Sequence, residues 1–296
     1  MTRSAAQATS TYYQAGPGLQ AFRMALAASQ RLAPALAVRV ATRLFGTPLP
    51  LRWLQRGGAW GADWRIERWP FEQASLTLYA PATAAPGPVV LLVHGWGGQA
   101  RQLLPLAEVL AQQGLRPLLL EMPAHGRSAG AVSNLPQFAR ALDYVLARLQ
   151  HEGQAVRGVV AHSLGANAAA YVASRSSIAA RLVLLAPPAS PRAYTRYFAQ
   201  VFGLSESIRA RMQARIEARE GVLMAQFEPK TVGTRIDART LVVHDREDRI
   251  NPYADGLAFS QAIEGAQLVT TQGLGHRKLL RDPLVLGQVA AFLRGN

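Results

Sequence analysis

The segment Gly158-Val-Val-Ala-His-Ser-Leu-Gly165 sets one serine, Ser163, between a short apolar run and an alanine-rich one. Small residues at 161 and 165 let the chain fold back sharply, lifting the hydroxyl clear for nucleophilic attack. The pattern is G-x-S-x-G with Ala161 in the first slot, where only a small side chain is needed. An ordinary strand-to-helix turn carries the same residues, so the partners decide. A serine hydroxyl needs an imidazole to take its proton, and the imidazole needs a carboxylate to hold its tautomer and stabilise its charged form. Ser163, Asp248 and His276 occur in that order, 85 and then 28 residues apart, each after an apolar run. Asp245 and Glu247 compete with Asp248 for the acid. Asp248 is preferred because it lies beyond the strand end, where a loop can reach His276.

Such residues must be gathered by a scaffold. Trp64 to Phe71 and Ala74 to Tyr79 read as a strand pair, and apolar strands are predicted at 89–93, 117–121, before Ser163, at 181–186, 240–244 and 266–271. Helices are predicted between them at about 100–113, 135–151, 165–175 and 252–263, with a last one at 282–294. Continuous apolar strands alternating with helices imply a parallel sheet covered on both faces. In such sheets, reactive groups gather in loops at the C-terminal strand ends. His94 falls there too and is expected to support the glycine-rich loop after it by hydrogen bonding, while His125 and His244 lie near the same rim without the H-x-x-x-H spacing of a metal-ligand pair.

Four motifs together, His94-Gly-Trp-Gly-Gly98, Pro123-Ala-His-Gly-Arg-Ser128, Ala161-His-Ser-Leu-Gly165, and Asp248 followed by Gly275-His276, resemble the α/β-hydrolase family over about residues 62 to 294. The resemblance implies an α/β-hydrolase fold, a mostly parallel twisted sheet with helices on both faces. It further implies Ser163 as nucleophile, His276 as general base and acid, Asp248 as its orienting carboxylate, and the backbone N–H groups of Trp96 and Leu164 as the oxyanion hole. The expected activity is a serine hydrolase cleaving a carboxylic ester or related acyl compound through an acyl-enzyme, with no metal or organic cofactor. The same triad would serve an aminopeptidase, a thioesterase, a lactonase or an acyltransferase; a non-catalytic binding protein on this scaffold is the alternative of another class. Ala161, Glu121, Ala124 and Asp245 depart from the family pattern without removing a catalytic group.

The strand rhythm breaks at 189–238, where two amphipathic helices read as a helical lid insertion. Ile208, Met212 and Ile216 recur four apart on the second, and Tyr194, Tyr197, Phe198 and Phe202 of the first are candidates to line an apolar acyl site. Ahead of the hydrolase domain, 62–296, residues 1–61 form a basic helical arm. Residues 1–62 carry seven arginines and no acidic residue, and Pro34 divides the arm into two helices. Phe22, Leu26, Leu36, Val40 and Leu44 make its apolar stripe, expected to pack on the main body rather than to contact a membrane surface. Across 296 residues, 32 basic against 18 acidic side chains give a net charge of +14, nearly all from arginine. No nucleic-acid motif accompanies that charge, so solvated surfaces are expected and a nucleic-acid partner is not. Absence of cysteine removes disulfides, thiolate catalysis and cysteine-ligated zinc. No apolar run approaches the roughly 20 residues of a bilayer span, and a cytoplasmic protein with a small acyl substrate is expected.

Overall fold

The computed structural model describes residues 17–49, 60–83, 87–177 and 179–295, with 17–22 described by backbone alone. Parts of the expected arm, at 1–16 and 50–59, lie outside these residues. Eight strands form one sheet: β1 (Trp64–Phe71), β2 (Ala74–Pro81), β3 (Val89–Val93), β4 (Arg116–Glu121), β5 (Val156–His162), β6 (Arg181–Leu185), β7 (Arg239–Asp245) and β8 (Gln267–Thr271). Their spatial order is β1-β2-β4-β3-β5-β6-β7-β8. β1 pairs antiparallel with β2 and β2 with β4, whereas every pairing from β4 through β8 is parallel. Parallel neighbours need a crossover, and helices supply it.

Two helices, α1 (Pro17–Leu32) and α2 (Pro34–Phe45), precede the sheet. The crossovers hold α3 (Leu104–Gln112), α4 (Leu135–His151) and α5 (Leu164–Ala173). Three helices lie between β6 and β7: α6 (Pro191–Phe202), α7 (Glu206–Glu220) and α8 (Pro229–Val232). They are followed by α9 (Tyr253–Ala262), the single turn α10 (Gly275–Lys278), and α11 (Pro283–Arg294).

The alternation of strand side chains explains why both faces are covered. In β3, where every residue is buried, Val89, Leu91 and Val93 join a core with Phe138 and Leu142 of α4 and the alanines of α5. Val90 and Leu92 point the other way, into a core with Leu106 and Leu110 of α3 and Val289 and Leu293 of α11. The continuous apolar runs are therefore two interleaved stripes, each facing its own helical layer.

The arm follows the expected stripe at Leu26 and Leu44, which pack with the inserted helices, and departs from it at Leu36 and Val40. α2 buries Ala37, Val38 and Ala41, while Leu36 and Val40 remain 47% and 37% exposed. Ala37 and Val38 pack against Ile208 of α7, and Ala41 packs with Leu26, Phe198 and Met212. Small side chains let two helices approach closely, so the face rich in alanine, not the one bearing the largest residues, makes the contact. Arg209 of α7 likewise turns inward. Its guanidinium is buried, paired with Glu206 at 2.6 Å and donating to Thr195 Oγ1 of α6 at 2.9 Å.

Candidate active site

Ser163 stands between β5 and α5 with φ 54° and ψ −126°. A non-glycine residue in this region is strained by roughly 1–3 kcal/mol. The conformation persists because its surroundings determine it. Ser163 N–H donates to Leu185 O of β6 at 2.9 Å, and Ser163 O accepts from Ala166 N at 2.8 Å. Two glycines permit the approach of the loop after β3: a Cβ on Gly95 would sit 2.6 Å from Ser163 Cβ, and one on Gly165 would sit 2.5 Å from His94 O. Ala161, fully buried on β5 between β3 and β6, belongs to the core that the sheet shares with α4 and α5.

The loop after β3 is shaped by histidines. Gly98 N–H closes a turn onto Gly95 O at 3.1 Å, leaving the Trp96 N–H outside that hydrogen bond. Gly97 N–H donates to His125 Nε2 at 3.0 Å, so this imidazole is neutral and its Nδ1–H donates to Pro123 O at 2.9 Å. Burial, with His94 nearby, lowers the His125 pKa to about 3. His94 uses the same tautomer, accepting from Met122 N at 3.0 Å and donating to Gly95 O at 2.7 Å. Glu121, one of the departures from the family pattern, is a buried anchor; its carboxylate accepts from Tyr79 O–H at 2.6 Å, Arg127 N–H at 2.7 Å and Ala100 N–H at 3.3 Å.

Asp248 and His276 meet across the ends of β7 and β8. His276 Nδ1 donates to Asp248 Oδ2 at 2.7 Å, and Asp248 Oδ1 accepts from the N–H groups of Ile250 and Asn251 at 2.7 and 3.0 Å. Burial pushes the Asp248 carboxyl up, but hydrogen bonds from His244, His276 and Ile250 outweigh it and hold the group far below the usual carboxylate range. Asp245 has a different task. Its carboxylate accepts from Glu247 N–H, Thr271 Oγ1 and Leu274 N–H at 2.9, 2.7 and 3.0 Å, tying the two loops together just ahead of His276. Burial raises its pKa, and these bonds, with Thr271 first, bring it below the ordinary value. Glu247 is exposed. His162 Nε2–H donates to His276 O at 3.0 Å, its ring 4.5 Å from that of His276.

A cavity of about 350 Å³ joins these groups. Ser163, His276, Trp96 and Leu164 line it, and its remaining wall is mostly apolar, from Tyr194, Tyr197 and Phe198 of α6, Ile216 of α7, Met224, Phe227 and Phe45 of α2. Phe202 does not belong to that wall. One turn beyond Phe198, it is carried past the cavity and buried among Leu26, Ala41 and Met212. Several wall residues drew no notice in the sequence, Phe45 and Asn251 among them. Phe45 lies far away in the chain, and Asn251 stands between Ile250 and Pro252, three residues past Asp248, with no motif to mark it. The Asn251 side chain contacts Ser163 Oγ at 3.4 Å.

Two family profiles match in tandem, the serine aminopeptidase family over residues 84–230 and the TAP-like protein family over residues 223–295. Comparison with curated proteins gives no match. Among solved structures, the chain is similar to an esterase from Pyrococcus furiosus, at 16% identity and TM-score 0.61, covering 80% of this chain and 96% of that one. It is similar to a thioesterase domain from the curacin biosynthetic pathway, at 19% identity and TM-score 0.56, over 78% and 99% of the two chains. A membrane phospholipase A described as a bacterial virulence factor aligns at 17% identity and TM-score 0.58, over 92% and 97%. At such identities the structural likeness is one of fold. With the consecutive profiles and the mostly parallel eight-stranded sheet, the chain belongs to the α/β-hydrolase family. It is a hydrolase of that family.

Two outcomes are expected. Ser163→Gly folds more stably than Ser163→Ala by about 1 kcal/mol, roughly 2 °C in Tm, because only glycine relieves the positive φ; equal melting temperatures would remove the strain from the account. Asp245 has a lowered folded-state pKa, so its contribution is present above the unfolded value of about 3.9 and is lost as pH falls. Asp245→Asn should therefore cost about 1–3 kcal/mol at neutral pH, with the gap to the parent narrowing below about pH 4. Urea titrations at stepped pH measure it, and a gap that stays constant contradicts it.

Proposed function

We propose that the protein is a serine hydrolase cleaving a carboxylic ester or a related acyl compound through Ser163, His276 and Asp248. The observation that carries this reading is a strained serine on the wall of the same cavity as a histidine whose Nδ1 is held by a buried carboxylate. With Nδ1–H given to Asp248, Nε2 is the nitrogen left to accept the Ser163 proton. Ser163 Oγ attacks the acyl carbon, and the carbonyl electron pair moves onto its oxygen, which takes the N–H groups of Trp96 and Leu164. Leu164 opens α5, so its N–H is one of the four that a helix cannot bond internally. The His276 imidazolium then protonates the leaving group as the carbon–leaving-group bond breaks, and a water activated by His276 hydrolyses the acyl-enzyme.

The cavity wall favours an apolar acyl group. An aromatic and aliphatic lining without a cationic cluster desolvates a hydrocarbon chain at about 25 cal/mol per Å² buried, and the helices between β6 and β7 act in this reading as the lid that shapes it. Chemistry of this kind calls on no metal or organic cofactor.

A second reading concerns where the substrate is met. On the arm, Met24, Leu32, Leu36 and Val40 are 74%, 86%, 47% and 37% exposed. Arg23, Arg31, Arg39 and Arg43 are exposed on the same two helices, and no acidic residue occurs before Asp63. Apolar side chains interspersed with arginines fit an anionic lipid surface, the first entering the headgroup boundary and the second pairing with phosphates. The buried side of the same arm contributes Phe45 to the cavity, which would put a lipidic ester close to the site. The similarity to a membrane phospholipase A over 92% of this chain accords with it. Among the described residues, no helix is long and apolar enough to cross a membrane.

A fluorophosphonate probe should label Ser163 of the purified protein, and Ser163→Ala should lose labelling and at least ~10⁴-fold in ester turnover while keeping its fold. Parent-like turnover by Ser163→Ala ends the mechanism. A series of p-nitrophenyl esters beside aminoacyl anilides should show preference for the longer acyl esters. For the arm, sedimentation with vesicles of mixed phosphatidylglycerol and phosphatidylcholine should exceed that with phosphatidylcholine alone. Replacing Arg31, Arg39 and Arg43 by glutamine should weaken binding roughly 100-fold, at about 1 kcal/mol per arginine. Equal sedimentation with both vesicle types counts against lipid docking.

A further inference from the structure

Asn251 is 1% exposed, and each of its polar groups is engaged. Its N–H donates to Asp248 Oδ1 at 3.0 Å, and its carbonyl accepts from His244 Nε2 at 3.0 Å. The side-chain amide bridges three elements. Nδ2 donates to Ala186 O at 2.6 Å and to Ser163 Oγ at 3.4 Å, while Oδ1 accepts a hydrogen bond from the Tyr194 hydroxyl. These partners settle which end of the amide is which. Ala186 O is a carbonyl and can only accept, so the nitrogen must face it, and the oxygen then falls toward Tyr194. Burial, with Asp255 and Asp248 nearby, raises the Tyr194 pKa and keeps that hydroxyl a donor. One amide hydrogen is spent on Ala186; the other is aimed at Ser163 Oγ.

The anchor is itself well determined. Ala186, at the end of β6, has φ 48°, an uncommon value for a residue with a Cβ, and its N–H is held by Val243 O at 2.8 Å. The end of β6 therefore grips the elbow twice, through Leu185 O on the Ser163 N–H and through Ala186 O and Asn251 on the Ser163 side chain.

We propose that Asn251 is a further catalytic residue: its amide N–H fixes Ser163 Oγ and stabilises the negative charge that Oγ carries on attack and again when it leaves the acyl group. This rests on Ser163 being the nucleophile. Oγ has one hydrogen and two lone pairs, so it can give its proton to His276 while accepting from Asn251. No proton moves to or from the amide. A neutral donor suits the place, since a carboxylate would repel the forming alkoxide and compete for its hydrogen. The 3.4 Å separation is that of an unreacted site, where catalytic hydrogen bonds are long and tighten as charge develops. Tyr194 acquires a second role: besides walling the cavity, it holds the amide in orientation, so α6 reports on the nucleophile through one side chain.

The second-order rate of fluorophosphonate labelling reads Oγ reactivity without a substrate. Asn251→Ala should slow labelling and lower kcat about tenfold to hundredfold, the range for one lost donor to a developing charge, with KM for a p-nitrophenyl ester unchanged. Tyr194→Phe, which keeps the ring and the packing, should slow labelling a few-fold in the same direction, and it serves where the first variant does not fold. Asn251→Asp keeps the shape but, when ionised, offers only acceptors. Its labelling rate should fall as pH rises through the pKa of the introduced carboxyl, a limb absent from the parent profile. Parent-like labelling rates in folded Asn251→Ala, or in Tyr194→Phe, overturn the proposal. Absence of labelling at Ser163 in the parent protein overturns instead the serine-hydrolase reading on which it rests.

Discussion

At Ser163 the backbone takes a conformation that an L-residue adopts only under constraint, and most of the site is arranged to impose it. β5 is locked between β3 and β6 by parallel pairing on both sides, and α5 begins one residue later, packed by alanines into the core. With both flanks fixed, the single residue between them has no freedom to relax. The cost, of the order of 1–3 kcal/mol, is borne by the cores on the two faces of the sheet. Close contact requires glycine at 95 and 165, because a Cβ at either place would strike Ser163 or His94. A hydroxyl raised on such a turn is presented to the cavity by backbone geometry, independently of side-chain rotamer alone.

Around that turn, polar groups are buried in numbers that an apolar core would reject unless each had a defined partner. Their partners are mostly backbone groups of neighbouring loops, and this is how four strand ends are held in mutual register. Glu121 fastens the loop after β4, His94 and His125 fasten the loop after β3, and Asp245 joins the loop after β7 to that after β8. Two carboxylates three residues apart thus differ in task because of what faces them. Asp245 meets backbone amides and a threonine hydroxyl, whereas Asp248 meets an imidazole.

The cavity has a different origin. Its wall combines α6, α7 and the end of α2, segments whose apolar faces would otherwise be exposed and which cover one another over the C-terminal edge of the sheet. Edge-to-face contact of Phe45 with Phe198, at 5.2 Å, joins the arm to the inserted helices. The arm is thereby part of the pocket on one side while presenting arginines and large apolar residues on the other.

Much of this was legible in the residues. Apolar runs punctuated by glycine and proline located most of the central strands within about a residue, since a strand buried on both faces admits little else. The order of Ser163, Asp248 and His276, each beyond a strand, marked the loops that converge, and the conformational demands of Ala161 and Gly165 are local. What the chain order could not express is which groups face one another. Leu36 and Val40 have helical periodicity, yet close packing against α7 selects Ala37 and Ala41, and no single-helix pattern contains that choice. Nothing in the chain order marks Asn251, which folding sets between Tyr194, Ala186 and Ser163, residues 57, 65 and 88 positions away. Phe202 repeats the aromatic period of α6 but passes beyond the cavity, because the crossing of helices, not their periodicity, sets where a wall ends. Local backbone chemistry is written in the sequence; the pairing of distant polar groups and the surfaces that close a pocket arise only when the layers pack.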